Sequence, residues 1–261
     1  MKRPFGTLML TCCLGMSCLG GPTAAEEATR HLDYVGDLDR TIVIALTLED
    51  GADRRRLRGE YFYKKHLRDI PLDGEYTGER ALILREHAAD GKVSGVFSLR
   101  FADRDPRAHG EHSPLDDEVL VGEWASADGR RRHGVYLRLT GATYQRPGEG
   151  RYAVAGAADD ALVERNAQAF YRAVLSGDRS TAVRQVAYPV SFHLEGRRSA
   201  AANEAELLKH YDSIFDKDFI ARITSGIPHR MFANHEGIML ADGAVWFDAE
   251  GKVTRLNNET P

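Results

Sequence analysis

The 261-residue chain carries 35 Lys and Arg against 39 Asp and Glu, a formal charge of −4, which argues against nucleic acid or an anionic lipid surface as partner. No phosphate-binding glycine loop, His-Glu-x-x-His helix, Gly-x-Ser-x-Gly turn or Ser-x-x-Lys pair occurs in it, so the strongest catalytic hypotheses fall away. Beyond the leader there is no long apolar segment, and no transmembrane span is expected.

At the start, Lys2 and Arg3 precede an apolar run from Leu8 to Leu19, followed by Gly20-Gly21-Pro22-Thr23-Ala24-Ala25. A basic start, a short apolar run and a small-residue cleavage site read as a signal peptide over residues 1–25, too short to cross a bilayer. Cys12, Cys13 and Cys18, the three cysteines of the chain, all lie in it. Cleavage after Ala25 leaves a mature protein without disulfide or thiolate chemistry. It also removes Lys2 and Arg3, taking the formal charge from −4 to −6. The expected location is exported, periplasmic or envelope-associated in a bacterium. Soluble export competes with a lipid anchor on Cys18, whose preceding Gly15-Met16-Ser17 fits an anchor site imperfectly.

From residue 40 to 140 the hydrophobic period is two. Ile42, Ile44, Leu46 and Leu48 share one face of a strand over Thr41–Leu48. Further strands are predicted at Leu57–Tyr63, Leu67–Tyr76, Leu82–His87, Val93–Phe101, Glu118–Ser126 and His133–Thr140. Asp90-Gly91 and Asp128-Gly129 supply residues that tolerate positive φ in tight hairpins. The reading is an all-β antiparallel meander over residues 38–141. Within it, glycine and an aromatic recur two positions apart, at Gly59/Tyr61, Gly74/Tyr76, Gly95/Phe97, Gly122/Trp124 and Gly134/Tyr136. Glycine lets a strand bend and a ring can cover the bared backbone, which suits a sheet coiling into a barrel or half-barrel. This pattern resembles lipocalin- and avidin-type barrels. The resemblance implies a cup for a ligand; rings that simply fill the interior are the other reading.

Residues 142–158, rich in Gly, Ala, Pro and Arg, read as a linker. After it, Val163, Ala167, Phe170 and Val174 recur at helical spacing from Asp159-Asp160 to Gly177. Asp178 caps a short helix with Val183 and Val186, stopped by Pro189, and Val190–Leu194 is a strand. Asn203 with Glu206 forms a capping-box start ahead of Leu207, Tyr211 and Ile214. Three strands close the chain: Gly237–Leu240, Val245–Phe247 and Val253–Leu256, with turns at Asp242-Gly243 and Glu250-Gly251. The overall class is α+β. The helix Val163–Val174, the Tyr188-Pro189 step into a strand, the helix after Asn203 and the strands of Gly237–Leu256 together resemble the NTF2-like superfamily. The resemblance covers residues 159–258 and implies a cone-shaped sheet wrapped around a long helix. It is a fold that hosts isomerases, dehydratases, hydrolases and non-catalytic binders.

Three groups of residues are candidates for function. Tyr171, Phe192, His193, Phe232 and Trp246 would wall a pocket if the cone is open, suiting a small amphipathic ligand or general acid–base chemistry. Tyr188, Tyr211, His229 and Asn234 belong to the same material. The clusters Arg54-Arg55-Arg56 and Arg130-Arg131-Arg132 discourage edge pairing or, if they share one barrel end, present a basic patch to an acidic partner. The loop Ala102–Asp117 holds Asp103, Asp105, His109, Glu111, His112, Asp116 and Asp117, but in no standard metal spacing, and reads as a solvated hairpin tip. No catalytic residue, metal or cofactor is assigned. The expected function is an exported non-enzymatic binding protein, an inhibitor or immunity-type protein that binds another exported protein. The alternative is a carrier of a small hydrophobic ligand, or an acid–base enzyme, using the cone.

Overall fold

A computed structural model describes residues 28–51, 53, 55–108 and 118–259. The predicted leader with Cys12, Cys13 and Cys18, Arg54, and His109, Glu111, His112, Asp116 and Asp117 lie outside the described residues. Among the described residues no helix is long and apolar enough to cross a membrane.

Eight strands form the first domain: β1 (Thr29–Leu38), β2 (Ile42–Asp50), β3 (Leu57–Tyr63), β4 (Ile70–Tyr76), β5 (Ala81–His87), β6 (Val93–Phe101), β7 (Val119–Ser126) and β8 (Arg132–Gln145). Each pairs antiparallel with the next, and β1 pairs with β8, so the meander closes into a barrel rather than a half-barrel. Closure depends on β1, which the sequence reading left out of the domain. Its turn into β2 uses Asp39 and Arg40 at φ 50° and 61° rather than glycine. Asp39 is held by β8, its carboxylate accepting from Gly134 N at 2.7 Å and meeting His133 Nδ1 at 2.7 Å.

Inward residues fill the barrel. Tyr34, Leu46, Tyr61, Phe97 and Leu137 are at most 2% exposed, so the rings plug the interior, as in most small barrels. The glycines permit the coiling. A Cβ on Gly74 would stand 2.0 Å from the carbonyl oxygen of Ile83 across the ladder. Gly95 is covered by the indole of Trp124 from the neighbouring strand, within 2.5 Å of where its Cβ would be. Tyr136 departs from the pattern: it points outward, its hydroxyl 3.0 Å from Asp105 Oδ2. Arg58, Asp73, Arg100 and Arg138 are exposed on the outer wall, the reverse of the apolar outer belt of a membrane barrel.

The segment expected as a linker is structured. β8 runs on to Gln145, a 3-10 turn occupies Ala153–Ala155, and Tyr152 is fully buried. The second domain follows with α1 (Asp160–Ser176), α2 (Arg179–Arg184), β9 (Val186–Leu194), β10 (Arg197–Ala201), α3 (Glu204–Lys209), α4 (Tyr211–Ile214), α5 (Lys217–Ser225), β11 (Phe232–Asn234), β12 (Gly237–Leu240), β13 (Val245–Phe247) and β14 (Val253–Leu256). Asp159 caps α1 by accepting from Leu162 N at 3.1 Å, and Gly177 ends it in the left-handed region. β9 begins at Val186 and passes through Pro189, and β10, α5 and β11 are additions to the elements read from sequence. The sheet order is β10-β9-β14-β13-β12-β11, antiparallel except for the parallel β14–β9 pair. Its core gathers Phe170 from α1 with Phe192, Phe215, Phe219 and Phe247, all at most 5% exposed. The interior of this domain is packed by its own side chains.

Candidate functional site

Strand alternation separates the five aromatic and histidine residues expected to wall the cone. Phe192 and Phe247 face the packed core, whereas His193 and Trp246, one position away, lie on the other face of the sheet. His193 stands 3.7 Å from Glu259 Oε2 with its Nδ1 buried and unpartnered. Trp246 lies beneath the Arg255 guanidinium, 5.5 Å from it. Tyr171 is half-buried and donates to the Thr224 carbonyl at 3.0 Å. Phe232 lines a different space, between the domains. These five residues therefore form no common pocket.

The arginine clusters are also apart. Arg55 and Arg56 sit in the β2–β3 loop, and Arg130 and Arg131 in the β7–β8 hairpin. Five strands, β3 to β7, intervene, and an odd number in an up-and-down barrel puts the two connections at opposite ends. Arg130 pairs with Asp128 and Arg132 with Glu123, while Arg131 lies 5.6 Å over the Trp124 ring. The described part of the Ala102–Asp117 loop folds back on the barrel. Asp105 is 7% exposed and accepts from Tyr136 and from Arg107 N, and the Arg107 guanidinium lies 3.7 Å over the Tyr136 ring and pairs with Asp37. No group of three His, Cys, Asp or Glu side chains suited to a metal occurs among the described residues.

A connected group of buried charges lies between the domains. The outer wall of the barrel alternates with the apolar interior, so Asp33, Thr47, Glu60 and Phe62 point outward toward the second domain. Arg151, with a side chain 7% exposed, reaches back from the expected linker to Asp33 Oδ2 at 2.7 Å and donates its Nε to the Met231 carbonyl at 3.0 Å. Thr47 donates to the other Asp33 oxygen at 2.7 Å. The β1–β8 register shifts beside Asp33, where Thr140 donates to the Asp33 carbonyl at 3.0 Å. Such a bulge re-aims neighbouring side chains. Burial opposes the Arg151 charge, but the Asp33 carboxylate more than compensates and holds the guanidinium above its ordinary value.

A second group centres on His229. Its Nδ1 meets Glu164 of α1, and its Nε2 lies 2.9 Å from Asp69 of the barrel's β3–β4 loop. Burial disfavours the imidazolium, yet hydrogen bonds to Asp69 and Glu164 and their charges push its pKa up to about 9. Burial likewise works against both carboxylates, and His229 still draws them below their usual range. Glu164 also accepts from Arg230 N at 2.9 Å and from the Tyr152 hydroxyl at 2.9 Å, which itself accepts from Met231 N at 2.9 Å. Arg230 bridges to Glu60 and Asp69. The Phe62 ring, 2% exposed, meets the His229 ring edge-on at 4.5 Å. Lys64 donates to the carbonyls of Thr224 and Ser225 at 2.9 and 2.8 Å, covering the C-terminal end of α5.

Beside these pairs a cleft of about 550 Å³ remains between the barrel wall and the 225–232 and 239–242 segments of the second domain. Val35, Ala45, Phe62, Met231, Phe232 and Met239 supply apolar lining; Asp33, Arg138, Arg151, His229, Arg230 and Asp242 supply charge. Arg138, Thr140 and Asp242 are exposed and mark its mouth. Sequence reasoning named Phe232 and His229 but missed the rest. The one local hint was Arg151-Tyr152, a long cation and a large ring inside an otherwise small-residue stretch. In comparison with known proteins, no family model, no curated protein and no solved structure matches this chain.

Proposed function

We propose that this is an exported, non-enzymatic binding protein whose ligand site is the cleft between the two domains. The observation that carries the reading is how the titratable groups are spent. Both nitrogens of His229 are occupied by carboxylates, and Arg151 and Arg230 are committed to Asp33, Glu60 and Asp69. A protonated histidine clamped on both sides has no free nitrogen to act as a general base. What remains is an apolar, charge-rimmed space of a size that takes small molecules, held between domains cross-linked by ion pairs. The order of helices and strands after Asp159 supports reading the second domain as NTF2-like, here with a filled cone. The inhibitor or immunity-type reading has less support, because the arginine clusters meant to form its surface lie at opposite barrel ends.

Native mass spectrometry of the protein purified without organic solvent, compared with the same sample after denaturing extraction, tests the proposal. Val35 lies on the barrel-wall side of the cleft, so Val35→Trp fills it without touching an ion pair. A released small molecule in the wild type that is absent from an equally stable Val35→Trp variant is the expected result. The same bound mass in both proteins would place the ligand elsewhere and overturn the site.

A further inference from the structure

Most of the charges that line the cleft are paired, and the exceptions stand at its mouth. Four of the lining groups are basic, Arg138, Arg151, His229 and Arg230, and two are acidic, Asp33 and Asp242. The carboxylates that hold His229 and Arg230, namely Glu164, Asp69 and Glu60, pair with them from outside the lining. Arg138 differs from the other three. It is exposed at the mouth and has no carboxylate within ion-pair distance among the described residues; Asp242, exposed on the second-domain side of the mouth, likewise has no cation within that distance among them. Next to it lie Val35 on the paired strand and, across the cleft, Phe232 and Met239. A ligand that satisfies the barrel-wall side of the mouth, at Arg138, has an apolar body and one anionic head.

Resting on the cleft being the ligand site, we propose that it binds amphipathic monoanions, with a carboxylate or similar head at Arg138 and an apolar body against Val35, Phe232 and Met239. The anion replaces the water around an unpaired guanidinium, which forks two donors toward a carboxylate. The body displaces water from side chains that are already half-buried. Neutral analogues forgo the first gain, and cationic analogues meet the unpaired Arg138 guanidinium.

Isothermal titration calorimetry of the protein with decanoate, decanol and decylamine, below the concentrations at which they aggregate, separates head from body. Decanoate is expected to bind at least fivefold tighter than decanol and to release no heat with Val35→Trp. Arg138→Gln is expected to weaken decanoate about fivefold, the scale of a partly exposed ion pair, and to leave decanol unchanged. Arg138→Lys should recover part of the loss. Decanol or decylamine binding as tightly as decanoate, in a manner abolished by Val35→Trp, would overturn the anion preference and leave the cleft standing. Absence of any Val35→Trp-sensitive heat with all three would overturn the anion preference. A retained native ligand in the mass spectrometry would then show that the cleft is a site for another chemistry.

Discussion

The two domain interiors and the seam between them are built on opposite principles. Inside the barrel and behind the second sheet, contacts are mainly apolar and aromatic, as where Phe170 meets Phe247 at 6.0 Å and Tyr61 meets Phe97 at 5.1 Å, with the Glu86 carboxylate accepting from Tyr61 and Trp124 as the barrel's polar exception. Across the seam the ties are charged, with Arg151 on Asp33, His229 between Glu164 and Asp69, and Arg230 on Glu60. Apolar burial is non-directional and tolerates small shifts, whereas hydrogen-bonded ion pairs demand one relative placement. The difference teaches that the cores make each domain stable and the seam sets how the two are joined.

This contrast can be broken at either side. Phe170→Ala, at a fully buried site, is expected to cost about 3–5 kcal/mol in urea denaturation. Barrel and second domain should lose structure in one transition if the seam couples them; two separate transitions would refute the coupling. Arg151→Met leaves Asp33 with Thr47 alone and should cost on the order of 3 kcal/mol, and the double variant with Asp33→Leu should recover part of it. Additivity of the two single changes would show that the pair contributes nothing. Within the barrel, Gly74→Ala places a methyl against the Ile83 carbonyl and should cost about 2 kcal/mol, without affecting the seam.

A pH titration sharpens the comparison further. His229 is raised from 6.5 to about 9, so its stabilisation is complete below 6.5 and is lost as pH rises through about 9. Glu164 and Asp69 are depressed, so theirs is present above the ordinary carboxylate range and is lost on acidification. Thermal melts should therefore show a decline from pH 6.5 upward that His229→Gln flattens; an unchanged slope in that variant would place the titrating group elsewhere. The smallest expected effect is at the helix cap, where Asp159→Ala should cost about 1 kcal/mol.

Much of the two interiors was legible along the chain. The strand over Val93–Phe101, the tail strands Gly237–Leu240 and Val245–Phe247, and α1 between Asp159 and Gly177 fall where alternation, helical spacing and capping place them. β1 escaped because its turn has no glycine and its left-handed Asp39 is held by Gly134 and His133 of the adjoining strand β8. The candidate cone pocket failed for a related reason. Phe192 and His193 are neighbours in sequence, but a strand sends them to opposite faces, and only the packing of α1 and α4 shows which face is closed.

Periodicity, caps and turn residues act over a few positions, so composition and spacing carry the class of each half and most element bounds. His229 meets Asp69 across 160 positions and Glu164 across 65, and Arg151 meets Asp33 across 118. No local pattern marks such partners, because each is an ordinary surface residue type until folding brings it within reach. The seam, its charge balance and the cleft beside it exist only where two independently patterned domains are pressed together, and there the cost of burying charge selects one arrangement.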